Sequence, residues 1–322
     1  MDNGWMRMKR TTLAGRVACL INPRAANSKW LRRKFLRAYL QRKLPGEIHD
    51  VYGDQRTTVE RAKQAAADSR IIVAMGGDGT IADTLQGIFE ARKEKDVLFG
   101  VIPFGSGNAF RKSFGIPKNP RRAIDMLAAG VPRTIDLMDV DGRYAAFASV
   151  GATARVTAEK LDHTVEGVWG HAIAARRLFD SSREEKEIEL FDGYDRHGPF
   201  ERKVVRSNFF DCIIAKTNYF GYGWLVAPHA RVDDGYLDIT LFELSPLKYS
   251  FLFLLIYLGL YPGKKHHFKA KRVVIRGRDL PVQFNGEVLE NRDVAEFRVL
   301  PKVIKMICPP GRRGARRFLH PD

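Results

Sequence analysis

The first 140 residues alternate between short, solidly apolar runs and longer stretches in which apolar positions recur every three or four residues. Val17–Ile21, Ile71–Met75 and Val97–Ile102 are solid runs, stopped by Asn22-Pro23, Gly76-Gly77 and Pro103. Runs of that length, closed by turn residues, predict strands buried on both faces. Between them, Lys29–Arg42, Thr57–Asp68, Ile81–Lys93 and Arg121–Ala129 predict helices. The first of these places Leu31, Phe35, Ala38 and Arg42 on successive turns. Strand–helix alternation of this kind predicts a parallel sheet covered on both faces, with ligands beyond the carboxyl ends of its strands.

Near Ile135 the pattern changes. Tyr144–Val150, Glu187–Phe191, Phe209–Lys216, Tyr236–Phe242, Arg272–Ile275, Val282–Phe284 and Phe297–Leu300 predict short strands. Asp141-Gly142, Asp234-Gly235 and Asn285-Gly286 punctuate them as turns. Val168–Asp180 and Leu247–Tyr261 predict helices. The reading is a two-domain chain: residues 1–136 an α/β domain, completed by 305–322, and residues 137–304 a β-rich domain. No internal repeat is evident.

Composition fits a folded chain of that size, with 322 residues and 45% hydrophobic content. Cys19, Cys212 and Cys308 stand far apart without metal-ligand spacing, as expected of reduced thiols in the cytoplasm. The start, Met1 to Arg10, is polar and basic rather than a secretory leader. The most apolar run, Phe251–Leu260, is too short to span a bilayer.

Charge adds more. The net charge is +17, and residues 1–43 hold twelve Lys or Arg against the single acid Asp2. Lys264 to Arg278 adds seven bases without an acid, and Arg312, Arg313, Arg316 and Arg317 close the chain. Such clusters attract polyanions, and each base near an anionic bilayer contributes about 1 kcal/mol. No aromatic–basic recognition motif accompanies them, so nucleic acid is not an expected partner. An anionic membrane surface is, and a homodimer is left open.

Two loops carry candidate chemistry. Gly76-Gly77-Asp78-Gly79-Thr80 follows a buried strand and opens a helix. Glycines let a phosphate approach the backbone, and a helix start offers unpaired N–H groups to an anion. Asp78 is placed either to orient a metal-bound water or to cap its own helix. Pro103-Phe104-Gly105-Ser106-Gly107-Asn108 follows the next strand, so both loops face one cleft.

These motifs, with Asn22-Pro23 and a late Gly286-Glu287 turn, resemble the diacylglycerol kinase and sphingosine kinase-like lipid kinases, from about Val17 to Met306. The resemblance implies a nucleotide-binding α/β domain, Rossmann-like or NAD-kinase-like, a β-sandwich-like second domain and a cleft between them. It implies ATP and Mg2+ as cofactors and a lipid hydroxyl as acceptor. Nucleotide contacts carried over are Asn22, Pro23, Arg24, Ala25, Ala26, Gly76, Gly77, Asp78, Gly79, Thr80, Gly105, Ser106, Gly107, Asn108 and Gly286. Glu287 matches the family's proton acceptor, with Asp78 beside it as the other catalytic position. In Pro228–Asp238, Asp234 would give a carboxylate to a structural Mg2+, and Arg231 and Tyr236 backbone carbonyls, with Asp136 in the metal–water network. The other reading of that loop is a plain hairpin.

Three positions depart from the family. Asn285 replaces the usual Asp, and Ala109 stands where many diacylglycerol kinases carry Asp, although sphingosine kinase-like members share the Ala. No threonine lies within a few residues before Gly53-Asp54; Asp50 and Val51 occupy that region. These leave open a catalytically weakened lipid-binding or regulatory protein. A third reading is an NAD kinase-like enzyme with a soluble substrate, which shares the GGDG turn.

Overall fold

The computed structural model describes residues 16–25, 34–52, 54–105, 107–162, 184–220, 224–257 and 266–310. The first half runs β1 (Val17–Ile21), α1 (Lys34–Lys43), β2 (Glu47–Asp50), α2 (Gln55–Asp68), β3 (Ile71–Gly76), α3 (Asp78–Glu90), β4 (Leu98–Pro103), α4 (Ala109–Phe114) and α5 (Pro120–Ala129). Then come β5 (Val131–Val140), β6 (Arg143–Ala145), β7 (Phe147–Gly151), α6 (Ala152–Asp162), β8 (Lys186–Asp195), β9 (Gly198–Ser207) and β10 (Asp211–Ala215). The chain continues through β11 (Tyr219–Phe220), β12 (Trp224–Leu225), β13 (Leu237–Phe242), α7 (Pro246–Tyr257), β14 (His266–Phe284) and β15 (Glu287–Cys308).

Among the described residues, thirteen strands form one sheet, with main order β13-β10-β7-β14-β15-β4-β3-β1-β2. β1 to β4 run parallel. They are solidly apolar because helices cover both faces, except the edge strand β2, which is half exposed. From β5 onward the strands pair antiparallel with one another, so a parallel description applies to the first four alone. The halves are not separate sheets. β15 pairs antiparallel with β14 over its first part and runs beside β4 in parallel at Lys305 and Met306.

Two apolar cores lie along this sheet. The first joins β1–β4 and their helices to Phe147, Phe220, Trp224 and Met306 from the later chain. The second lies wholly in the β-rich half, around Met138, Leu190, Ile239, Val273 and Phe297. The three cysteines are free and buried.

Some elements differ from the sequence reading. In α1 the buried positions are Leu36 and Leu40, continued by Leu44, while Phe35 is 59% exposed and Ala38 and Arg42 face solvent. The buried stripe therefore lies on nearly the opposite face of the helix from the one expected. Arg272–Ile275 and Val282–Phe284 are parts of one strand, β14, whose register shifts between Arg276 and Val282. Residues 143–151 break into two strands at Ala146. β2, α4, β5, α6, β9, β11 and β12 were not anticipated. The expected helix at Val168–Asp180, the basic cluster Arg312–Arg317 and six of the twelve bases in residues 1–43 (Arg7, Lys9, Arg10, Lys29, Arg32 and Arg33) lie outside the described residues.

Candidate active site

The carboxyl ends of β1, β3 and β4 are level: Ile21 pairs with Met75, and Gly76 with Pro103. Their loops are stitched to each other, since Asn22 N–H donates to the Met75 carbonyl and Phe104 N–H to the Gly76 carbonyl. The glycines permit this contact. A Cβ on Gly105 would lie 2.5 Å from Gly77 Cα, and one on Gly76 would lie 2.5 Å from Thr80 Oγ1. Asn22 accepts from Arg24 N–H and reaches Thr80 Oγ1 with its amide at 3.4 Å. Gly77 precedes α3 without a side-chain cap, which leaves the helix start to an anionic group. Pro23, Arg24, Ala25, Gly79, Gly107 and Asn108 border the same edge; Ala26 and Ser106 lie outside the described residues.

Asp78 does not cap its own helix. Its two oxygens accept from Ala109 N–H and Phe110 N–H, each at 3.1 Å, so the carboxylate holds the start of α4 and ties the two glycine loops together. Burial pushes this carboxyl above the usual aspartate range, against the pull of those two N–H groups.

Glu287 opens β15 directly after a two-residue turn. Asn285 and Gly286 both have positive φ, 50° and 94°, the conformation an Asn-Gly hairpin supplies. Asn285 donates to the Tyr144 carbonyl and accepts from Ala146 N–H, a pair of bonds that a carboxylate could not make. The Glu287 carboxylate, 35% exposed, takes a 2.6 Å bond from Gln55 Nε2 and a 2.6 Å ion pair from Arg143. Asp83 belongs to the same cluster. Burial and then the Glu287 charge push its carboxyl up to about 7, although Gln55 and Arg143 pull the other way. Asp83 stands one helical turn beyond Gly79 on α3, so one helix joins the glycine loop to the Glu287 turn. A groove of about 480 Å3 adjoins the cluster, sharing Gln55 and Arg143 and also lined by Val59, Gln86 and Glu90.

The expected metal loop is occupied by a side chain. Lys216 Nζ lies 2.5 Å from Asp234, 2.6 Å from the Tyr236 carbonyl and 3.1 Å from Asp136. Asp136 also accepts from Gly235 N–H and Lys302 N–H, and Lys269 pairs with the second Asp234 oxygen. Burial alone would raise the Asp234 carboxyl, but Lys216 and Lys269 together hold it below the usual range. Arg231 lies at the exposed margin, 3.8 Å from Asp233. Three of the four groups expected around Mg2+, those of Asp136, Asp234 and Tyr236, are thus spent on an ammonium.

Comparison with known proteins accounts for both halves. Residues 16–140 match the diacylglycerol kinase catalytic domain, and residues 198–308 the YegS C-terminal NAD kinase beta sandwich-like domain. A relative from Pseudomonas aeruginosa, "Probable lipid kinase YegS-like", is 30% identical over 264 residues, covering 80% of this chain and 82% of its own. The chain belongs to the YegS-like and diacylglycerol kinase family of lipid kinases. Another member, the "Diacylglycerol kinase" of Bacillus subtilis, is 30% identical over 194 residues, 58% of this chain and 59% of its own. A crystal structure of a diacylglycerol kinase from Bacillus anthracis shares the fold, with a TM-score of 0.69 and 20% identity over 92% of this chain and 97% of that one.

Within the family frame, the sequence reading missed Gln55, Asp83, Arg143 and Lys216. Asp83 had a signal: it follows Gly79 by four residues, hence on the same helix face. Lys216 had one too, as a charge directly after the solidly buried β10.

Proposed function

We propose that the protein moves the γ-phosphoryl group of ATP, arriving as its Mg2+ complex, to a hydroxyl of diacylglycerol or a sphingoid-type lipid. One observation supports the reading: α3 begins at the glycine loop and carries Asp83, one turn later, where the Glu287 charge reaches it and where Gln55 serves both carboxyls. The backbone N–H groups at the start of α3, with Thr80 and Asn22, receive the triphosphate. The lipid oxygen attacks the terminal phosphorus, its bond to the bridging oxygen breaks, ADP leaves, and Glu287 takes the hydroxyl proton. Gln55 and Arg143 fix the direction of that carboxylate. Asn285 does not disfavour the reading, because its amide builds the turn that aims Glu287.

A membrane-facing side is supported by α7. Leu247 and Phe251 are 71% and 87% exposed, and Leu255 is exposed also, an apolar stripe at four-residue spacing. Tyr249 anchors the other face through Asp211. Among the described residues no helix is long and apolar enough to cross a membrane. The proposed enzyme sits peripherally on anionic lipid through this stripe, at the cytoplasmic side, with nucleotide held by residues 1–136 and 305–322 and lipid by 137–304.

The test is transfer of labelled phosphate from ATP into mixed lipid micelles, run against a total lipid extract and against NAD. Labelled phospholipid is expected. Glu287→Gln should lose roughly 100-fold or more of the rate while keeping its thermal transition. Lipid binding without turnover by the wild type would replace the reading with a binding protein, and label in NAD with a soluble-substrate kinase.

A further inference from the structure

The loop that the family resemblance assigns to a structural Mg2+ does not fit one. Mg2+ asks for about six oxygens at roughly 2.0–2.1 Å in near-octahedral order. Here the Asp234 carboxylate, the Tyr236 carbonyl and the Asp136 carboxylate all converge on Lys216 Nζ. An ammonium has three N–H donors, and these three oxygens satisfy them. The Lys216 side chain is 0% exposed, so it has no solvent route by which to withdraw. An ion at bonding distance from the same oxygens would overlap Nζ, and its charge would lie beside a buried ammonium in low dielectric.

The surrounding bonds leave the site little slack. The remaining Asp234 oxygen is held by Lys269 at 2.5 Å, and Lys269 also pairs with Asp238 at 3.2 Å. Both Asp136 oxygens are already bound by backbone N–H groups of Gly235 and Lys302, and its own N–H donates to the Val232 carbonyl. Asn218, two residues past Lys216, donates to the carbonyls of Ala227, Pro228 and Ala230 and so fixes the entry to the same loop. One ammonium thus joins β5, the end of β10 and the approach to β13, close to the bulge of β15 between Leu300 and Ile304.

We propose that Lys216 is a built-in replacement for a structural metal ion, so that the 231–236 loop is ordered by a covalently tethered cation and needs no Mg2+. The inference is independent of the reaction proposed above, since it concerns the folded chain without nucleotide. It makes the Mg2+ requirement of this protein, where there is one, a property of the nucleotide complex alone.

The experiment uses nucleotide-free full-length protein and two readouts: the thermal midpoint in EDTA against millimolar Mg2+, and bound Mn2+ by electron paramagnetic resonance. The wild-type midpoint is expected to be the same in both buffers, with no Mn2+ signal that Asp234→Asn removes. Lys216→Ala opens the space and should lose roughly 5–10 °C in EDTA, recover part of it in Mg2+, and gain a Mn2+ site. Lys216→Met fills the space without charge and should stay low in both buffers. A wild-type midpoint that rises with Mg2+, or a wild-type Mn2+ site lost in Asp234→Asn, overturns the proposal, and neither reading needs the Lys216 variants to fold. A Lys216→Ala protein as stable as the wild type in EDTA also overturns it.

Discussion

Asp83 is the residue whose proton should be visible from outside. Its carboxyl is raised from 3.8 to about 7, by burial first and the Glu287 charge second, with Asp54 adding in the same direction. Between those two pH values the folded chain holds a proton that the unfolded chain has released. Its contribution to stability is therefore present in full below the ordinary aspartate range and lost as pH rises toward about 7. Buried Asp211, raised to about 6, acts with the same sign over a narrower window. Asp83→Asn should raise the thermal midpoint at pH 8 and remove the upper part of the decline, leaving the Asp211 part. Midpoints measured from pH 5 to pH 8 for both proteins check this, and parallel curves would show that Asp83 is not the titrating group. The residue scale is also where sequence was least informative. The glycine loops and Glu287 are legible because each lies in a contiguous motif whose chemistry is local. The partners of Glu287 are not, since Gln55 is 232 positions away and Arg143 is 144 away. Only the folded sheet brings them to one carboxylate.

At the scale of elements, α7 shows what amphipathicity leaves unresolved. PLKYSFLFLLIY is apolar almost all round, which a buried helix and an interfacial one share. The structure separates its faces: Tyr249 packs between Phe210 and Phe242, while Leu247, Phe251 and Leu255 look outward. Burying a phenylalanine contributes about 1.5–3 kcal/mol. Phe251→Glu should therefore weaken binding to anionic vesicles by about 10-fold or more while leaving the thermal midpoint of the free protein unchanged. Vesicle co-sedimentation reads the loss, and undiminished binding would send the membrane contact elsewhere. Helix α1 is the converse lesson. Its end was legible, and residues 29–33 of the expected range lie outside the described residues, but its phase was not legible, because Phe35 is a large apolar side chain that points to solvent. The packing partners of Leu36 and Leu40 come from other elements of the first core. Strand β9, GPFERKVVRS, was illegible for a different reason: it is a largely exposed strand that among the described residues pairs with β8 alone, so its composition is nearly that of a loop.

For the whole molecule, the question is whether the two matched regions are separable. The family match divides the chain at residue 140, but the hydrogen bonds and the first core do not. β5 pairs with β6 and with β15 over Phe297 to Cys308, and β4 has Lys305 and Met306 on its outer edge. A fragment ending at residue 140 would expose that edge of β4 and lose both neighbours of β5, leaving unpaired backbone that invites aggregation. It would also lose Ile304, Met306 and Ile307 from the first core, each buried to 1% exposure or less. At about 1.5–3 kcal/mol per side chain the loss is roughly 5–9 kcal/mol, comparable with the whole stability of a typical domain. Residues 1–140 alone should therefore show no cooperative urea transition by far-ultraviolet circular dichroism, whereas the full chain does. A sigmoidal transition in the fragment would mean that β15 is an addition to a self-sufficient domain. Its absence would mean that the strand beginning at Glu287 is also the one that completes the α/β half. The proposed proton acceptor and the core beneath the glycine loops would then be two ends of one continuous element.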